Sequence, residues 1–387
     1  MSYPLISEYI EAIKAADDNF EELSYLRPVL GDDGLPVMTS GNFAVVFKMK
    51  DERSGKLYAV KCFTKEQEGR AEAYCEIAKE LKDVSSPYLV SIQYLEKELF
   101  VDTDQTTETE FPILLMDWVD GKTLDKYLRE NIDDKYALEM LAYRFSLLAQ
   151  WLIPQPFAHG DLKPDNILVR EDGTLVLVDY DGMYVPAMKG QKARELGSPN
   201  FRHPLKTEDD FNEHIDDFPL VSILLSLKAI SIDSQLLNEY GADDRLLFST
   251  IDYNNLSKCT VLKTIFPNSC IEINNLICAF VLLINHNEFF QNLIEVINLK
   301  VPVVNGYNTK LEQLVLLTEM TMQIIKRNVN ISFSEFKTTI DSELNYHVSE
   351  IKLRIAYDYA VKHHDDYPLS PLEIDNFIKP FQIKKFT

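Results

Sequence analysis

Three residues able to act together on a phosphoryl group lie in one string, HGDLKPDNILV, at 159–169. Phosphoryl transfer needs a carboxylate to orient the attacking hydroxyl, a cation near the moving charge and an oxygen ligand for Mg²⁺. Asp161, Lys163 and Asn166 supply these in that order, between a helical pattern and a short apolar run. The plainer reading is a polar loop with Asp165 capping a helix. The completeness of the set favours the chemical one.

The flanking segments must position this loop. Residues 5–24 place Leu5, Tyr9, Ile13, Phe20 and Leu23 on one face, as in an amphipathic helix packed on a larger body. LRPVLGDDGLPV (26–37) is turn-rich. Phe43–Met49 and Leu57–Phe63 read as strands joined by a DERSGK hairpin, followed by a helix over 67–84. Strands are expected at Leu89–Tyr94 and Phe111–Trp118, then helices at 122–131 and 135–153. Short strands follow at Ile167–Arg170 and Leu175–Asp179, and helices fill the chain from 216 onward. The fold class is α+β: a small β-rich lobe with one helix precedes a larger helical lobe, and the cleft between them is the expected site.

Composition narrows the partners. The 387 residues carry 39 Lys and Arg against 61 Asp and Glu, a net charge of −22. Such a surface disfavours broad contact with nucleic acid or an anionic membrane, which needs clustered cations. The longest apolar stretch, Phe218–Ile232, is interrupted by Ser222, Ser226 and Lys228 and is too short to span a bilayer. The N-terminal MSYPLISEYIEAIKAADD has no secretory pattern. Cys62, Cys75, Cys259, Cys270 and Cys278 form no CxxC, so reduced thiols in the cytoplasm are expected.

HGDLKPDNILV resembles the catalytic loop H-R-D-L-x-x-x-N of protein kinases. That resemblance implies a two-lobed kinase-like fold using ATP and Mg²⁺, and it covers about residues 36–230. In LVDYDG, Asp179 stands where the family places the Asp of D-F-G and would hold Mg²⁺ with Asn166. Tyr180 replaces the Phe, and Asp181 replaces the Gly as an additional metal-facing carboxylate. YAVK resembles the V-A-I-K strand, with Ala59 roofing the adenine and Lys61 reaching the α/β-phosphates. Glu76 is the expected partner of Lys61, with Glu72 one turn earlier on the same face. TSGNFAVVF aligns with the glycine loop; Gly41 survives, Thr39 and Ala44 occupy the other glycine positions, and Val46 lies over the base. PILLMDWVDGKTL resembles the hinge: Met116 as gatekeeper, the backbone of Asp117 and Val119 reading the adenine edge, and Leu168 as the floor.

GSPNFRHP (197–204) resembles the end of an activation segment, with Pro204 at the Pro of A-P-E and Leu205 in place of its Glu. Asp216 matches the Asp that opens the central buried helix and holds the catalytic loop. Gly160 stands where the Arg of H-R-D pairs with an activating phosphate. A constitutively assembled site, or control by another domain, is therefore expected, with little effect of Ser198→Ala.

The resemblance implies an atypical, non-RD, bacterial-type serine/threonine protein kinase acting on a protein hydroxyl. Two alternatives stay open. HGD with VDYD also resembles aminoglycoside- and choline-type kinases, which act on small-molecule hydroxyls. A degraded glycine loop would suit a pseudokinase scaffold. The expected domains are an N-terminal helical extension (1–35), an N-lobe (36–119), a C-lobe (120–300) and a helical accessory region (301–387) that could take a regulatory partner. His363–His364 beside Asp365–Asp366 reads as surface, and the stripe Leu311, Leu314, Leu317, Met320 and Ile324 as a core face.

Overall fold

The computed structural model describes residues 2–41, 43–268, 270–285, 293–300, 302, 310–343 and 348–363. Helix α1 (Ile6–Lys14) and the single turn α2 (Ala16–Asn19) lead into β1 (Leu26–Pro28), β2 (Met38–Ser40), β3 (Ala44–Asp51) and β4 (Leu57–Phe63). Helix α3 (Arg70–Leu81) precedes β5 (Ile92–Phe100) and β6 (Glu110–Asp117). These six strands make one antiparallel sheet in the order β1-β3-β4-β6-β5, with β2 also on β3. The expected extension thus supplies an edge strand of the sheet.

Strand alternation divides the sheet between two apolar clusters. On β4, Val60 and Cys62 face α1, where Tyr9 and Ile13 are fully buried. Ala59 and Phe63 face α3 and the helical lobe. The Tyr9 hydroxyl donates to the Phe63 carbonyl at 2.7 Å, fastening α1 to the strand that carries Lys61. The chain after α2 is held by Glu98, whose carboxylate accepts from the Glu22 N–H at 3.0 Å and the Leu23 N–H at 2.7 Å.

The helical lobe begins with β7 (Lys122–Thr123), α4 (Leu124–Glu130) and α5 (Lys135–Leu152). Asp134 caps α5 by accepting from the Ala137 N–H at 3.0 Å. Strands β8 (Ile167–Val169) and β9 (Leu175–Leu177) complete a small sheet with β7. Helix α6 (Asp217–Ile232) is apolar on nearly every side and is correspondingly buried in the centre of the lobe. Around it lie α7 (Gln235–Tyr240), α8 (Thr250–Asn254), α9 (Thr260–Ile265), α10 (Ile271–Asn285) and α11 (Leu293–Val296). They are followed by α12 (Lys310–Arg327), α13 (Phe333–Glu343) and α14 (Glu350–Lys362).

Several boundaries differ from the sequence expectation. The helix over 5–24 breaks at Ala15, whose ψ of 45° is not helical. The first expected strand of the 89–118 pair begins at Ile92, because the Val90 N–H is bonded to the Tyr180 hydroxyl at 2.9 Å. β9 ends at Leu177, since the Val178 carbonyl is within 2.9 Å of the His159 ring Nε2 and Asp179 turns to φ 68°. Leu317, Met320 and Ile324 are buried, as a core face requires. The side chains of Leu311 and Leu314, and residues His364, Asp365 and Asp366, lie outside the described residues.

Glu98→Ala leaves two backbone N–H groups without their acceptor. It should lower stability by about 1–3 kcal/mol, read from urea denaturation.

Candidate active site

The catalytic-loop string is set by one buried carboxylate. Asp216, at the start of α6, accepts from the backbone N–H groups of His159 and of Gly160, the latter at 3.0 Å. Burial raises the Asp216 carboxyl above its ordinary value, while the two N–H groups and nearby His159 act against that rise. The loop then turns through Pro164–Asn166, where the proline's fixed φ suits the first residue of a 3₁₀ turn.

That turn brings Asn166 back onto Asp161. Its Nδ2 donates to the Asp161 carbonyl at 2.8 Å and lies 3.2 Å from Oδ2. Lys163 Nζ is 3.0 Å from the same Oδ2, and the Ser198 N–H donates to Oδ1 at 2.7 Å. Burial acts to raise Asp161, but Lys163 and the Ser198 N–H outweigh it and hold the carboxyl below its ordinary range. Burial likewise acts to lower Lys163, and Asp161 holds it above its usual value. The pair therefore stays ionised at neutral pH.

Gly160 has a steric reason to be glycine. Its φ is +84°, and a Cβ there would come within 1.9 Å of the Gly182 carbonyl oxygen. The close approach follows from the bridge between Ala158 and Tyr184, which lays the catalytic loop directly against the segment after Asp179. Lys206 Nζ closes the arrangement by donating to the Gly160 carbonyl at 3.2 Å.

Asp179 is the one non-glycine residue with positive φ among the described residues. Its carboxylate lies 2.6 Å from Lys61 Nζ, and Asp181 lies 2.8 Å from the same ammonium. Burial acts against the charge on Lys61; neighbouring Tyr74, Asp179 and Asp181 more than offset it and raise the group well above its ordinary value. Tyr180 is buried between the lobes, its hydroxyl donating to the Leu177 carbonyl at 3.0 Å. The hydroxyl that the usual Phe lacks thus ties this residue to both β9 and Val90.

The remaining candidates line the cleft roof and floor. Val46 lies opposite Lys61, and Ala59 opposite Met116, in the sheet register. Ala59, Met116 and Val119 are buried and Leu168 partly so, all in the apolar cluster that joins the lobes. The Asp117 side chain turns to Lys56 at 2.6 Å, leaving only its backbone to a base. Gly41 donates to the Ala44 carbonyl at 2.8 Å and closes a tight turn between β2 and β3. A Cβ on Gly41 would meet only that carbonyl, at 3.9 Å, so no crowding within the chain demands glycine there.

One expectation needs correction. Glu76 does not pair with Lys61: it binds Lys79 at 2.5 Å on the outer side of α3. Glu72 is exposed. Helical geometry instead turns Tyr74 inward, where its hydroxyl lies 3.5 Å from Lys61 Nζ and bonds to Asp181. Three further residues went unseen in the sequence. Arg194 Nη2 donates to the Asp181 carbonyl at 2.9 Å, Lys206 is described above, and Glu195 lies against Gly182. All three sit in a loop without periodicity, so no pattern marked them.

Asn166, with Nδ2 occupied, keeps its carbonyl oxygen for a metal, and Asp179 keeps a carboxylate. Among the described residues no group of three or more His, Cys, Asp or Glu is arranged to hold an ion alone. That donor set fits Mg²⁺, which dehydrates reluctantly and takes few carboxylates beside phosphate oxygens.

An antiparallel sheet roofing a loop that carries Asp161, Lys163 and Asn166, with a helical lobe beneath, is a two-lobed kinase-like fold. A family model described as the protein kinase domain matches residues 35–230, and the chain belongs to that family. It is similar to the serine/threonine-protein kinase sgk-1 of Caenorhabditis elegans, 24% identical over 203 residues, covering 50% of this chain and 42% of that protein. Sgk3 of Rattus norvegicus is 31% identical over 153 residues, covering 38% and 29% respectively. The serine/threonine-protein kinase dkf-1 of Caenorhabditis elegans is 27% identical over 233 residues, covering 56% and 30%. The chain spans less than half the length of these relatives. All three are animal proteins, and none supports the bacterial origin expected from the motifs.

Burial, with Asp161, Asp181 and Asp179 nearby, pushes Glu195 up to about 7 from an ordinary 4.5. A raised carboxyl binds its proton more tightly in the folded state. The stability it contributes is complete below pH 4.5 and lost as pH rises through 7. Glu195→Gln should therefore gain in Tm over the wild type between pH 5 and 8, with little difference at pH 4.

Proposed function

We propose that the chain is an ATP- and Mg²⁺-dependent phosphotransferase that acts on a serine or threonine hydroxyl of a protein substrate. The observation that carries this reading is the Asp161 carboxylate, kept ionised beside Lys163 and fixed by Asn166 and the Ser198 N–H. Asp161 orients the acceptor hydroxyl and takes its proton as the oxygen bonds to the γ-phosphorus and the bond from that phosphorus to the departing ADP breaks. Lys163 offsets charge developing on the transferred group. ATP, when bound, would supply the phosphoryl group, and Mg²⁺ would supply positive charge to its phosphate oxygens. Lys61 would meet the α/β-phosphates, and Asn166 with Asp179 would hold the metal. Val46, Ala59, Met116, Val119 and Leu168 would enclose the base, the backbone at Asp117 and Val119 reading its edge and the Gly41 turn covering the phosphates.

Lys163 in its LKPDN context and the similarity to serine/threonine-protein kinases support a serine/threonine acceptor in a protein. Gly160 supports an atypical member without the phosphate-reading arginine. Arg194 supports a segment assembled without phosphorylation, because its guanidinium already ties the loop to the Asp181 carbonyl. No described helix is long and apolar enough to cross a membrane. The five cysteines are free, which supports a cytoplasmic setting. The helices from α12 onward remain our candidate surface for a regulatory partner.

Incubation with labelled ATP, Mg²⁺ and a generic basic protein should label one of the two proteins. Asp161→Asn should abolish transfer with nucleotide affinity nearly unchanged, and Asp179→Ala should remove the Mg²⁺-dependent part of ATP binding. Nucleotide binding without protein labelling would move the reading to a small-molecule hydroxyl acceptor. Prior treatment with a broad-specificity phosphatase, then removed, should leave the rate within about twofold, because the tether already present is a guanidinium rather than a phosphate.

A further inference from the structure

A kinase site of this family requires the lysine that meets the nucleotide phosphates, Lys61 on β4 here, to be paired with a glutamate of the neighbouring helix. Here the helix is α3, and its glutamates do not do this. Glu76 is occupied by Lys79 and Glu72 faces outward. Yet the Lys61 side chain is only 6% exposed, and a buried ammonium without an adjacent carboxylate is strongly unfavourable.

We infer that Asp181 is the residue that positions Lys61 in place of the helix glutamate, and that Tyr74 is the contact through which α3 joins the pair. The Asp181 carboxylate lies 2.8 Å from Lys61 Nζ and is 12% exposed, against 43% for Asp179. Both carboxylates touch the ammonium, Asp179 at 2.6 Å, but Asp179 is the more accessible of the two to an incoming metal and Asp181 the more enclosed. The phenol of Tyr74 bonds to the second Asp181 oxygen and lies beside the ammonium. Tyr74 is itself immobilised, stacked on Tyr94 at 6.1 Å and against Phe63 at 6.0 Å. Arg194 holds the Asp181 main chain through its carbonyl. The phenol and the main chain that orient the carboxylate are thus both restrained, as a positioning residue requires. The two departures from the family pattern are reciprocal: the helix offers a neutral phenol, and the carboxylate appears where D-F-G has glycine.

The inference rests on the phosphotransferase reading for its kinetic consequence, so its test has a second arm that needs no turnover. The full chain and its Asp181→Asn, Tyr74→Phe and Glu76→Gln variants are pulsed with an amine-acylating reagent at pH 9, and acylation of Lys61 is read by peptide mass spectrometry. Loss of its partner releases the side chain from its fixed place, and about 1.4 kcal/mol less holding energy raises the fraction open to the reagent about tenfold. Asp181→Asn should accelerate labelling by about tenfold, Tyr74→Phe by less, and Glu76→Gln not at all. In the kinetic arm Asp181→Asn should raise the KM for ATP by about tenfold or more, while the KM for the acceptor protein changes little. If Asp181→Asn does not fold, Asp181→Gly, which restores the family's residue, carries the same expectation. Acceleration by Glu76→Gln with none from either Asp181 variant would overturn the inference. The expected labelling pattern in a wild-type protein that neither binds nor turns over ATP would remove the phosphotransferase reading and leave Asp181 as the partner of Lys61.

Discussion

An ammonium under a β-sheet must meet negative charge, and the site is arranged around that requirement at Lys61. β4 delivers the lysine to the face opposite α1, so its charge enters the cleft and not the outer apolar cluster. Two carboxylates then have to arrive from the other lobe, which forces the chain to turn sharply after β9. Asp179 makes that turn at φ 68°, a left-handed conformation that costs on the order of 1 kcal/mol or more for a side chain with a Cβ. The ion pairs, the buried Tyr180 and its two hydroxyl bonds hold the turn in place. The lobes are thus joined by a charge cluster as well as by apolar contact.

A second frame is built on Asp216. Its carboxylate takes two successive N–H groups of the catalytic loop, which fixes where Asp161 emerges. From there the loop satisfies itself: Asn166 folds back on Asp161, and Lys163 balances its charge. The Ser198 N–H adds a contact from the downstream segment, so the carboxylate is held from three directions. Preorganisation of this kind is how a site with little covalent chemistry gains rate. The two frames touch where Gly160 meets Gly182.

Much of this could be read from the residues themselves. The HGDLKPDN string, the YAVK strand and the LVDYDG turn stand out because each sets particular side chains at short, fixed spacing, and the fold brings Lys61 onto Asp179 and Lys163 onto Asp161. The strands and the central helix follow from period and composition. What escaped was set by tertiary contact. Which face of α3 turns inward depends on Tyr94 and Phe63, distant in sequence, and a search for a glutamate passes over a tyrosine two positions away. Arg194, Glu195 and Lys206 act from an irregular loop whose path only the folded lobe defines. The late start of the strand at Ile92 has the same origin, since Val90 is claimed by a hydroxyl from the opposite lobe.

The contact between Gly160 and Gly182 also sets a rule for sequence change. A side chain at 160 would drive its Cβ into the Gly182 carbonyl oxygen, which lies 1.9 Å from that position. An arginine returned there by one substitution would not recreate a phosphate-reading site; it would first separate the two segments. The carbonyls of Asp181 and Met183, which flank Gly182, are both held by Arg194, so the displaced strand could not move alone. Substitutions at these positions are therefore expected to be non-additive. Acquiring a phosphate-operated switch would take coordinated replacement of two loops, and any intermediate with only one replaced would lose the tether before gaining the switch.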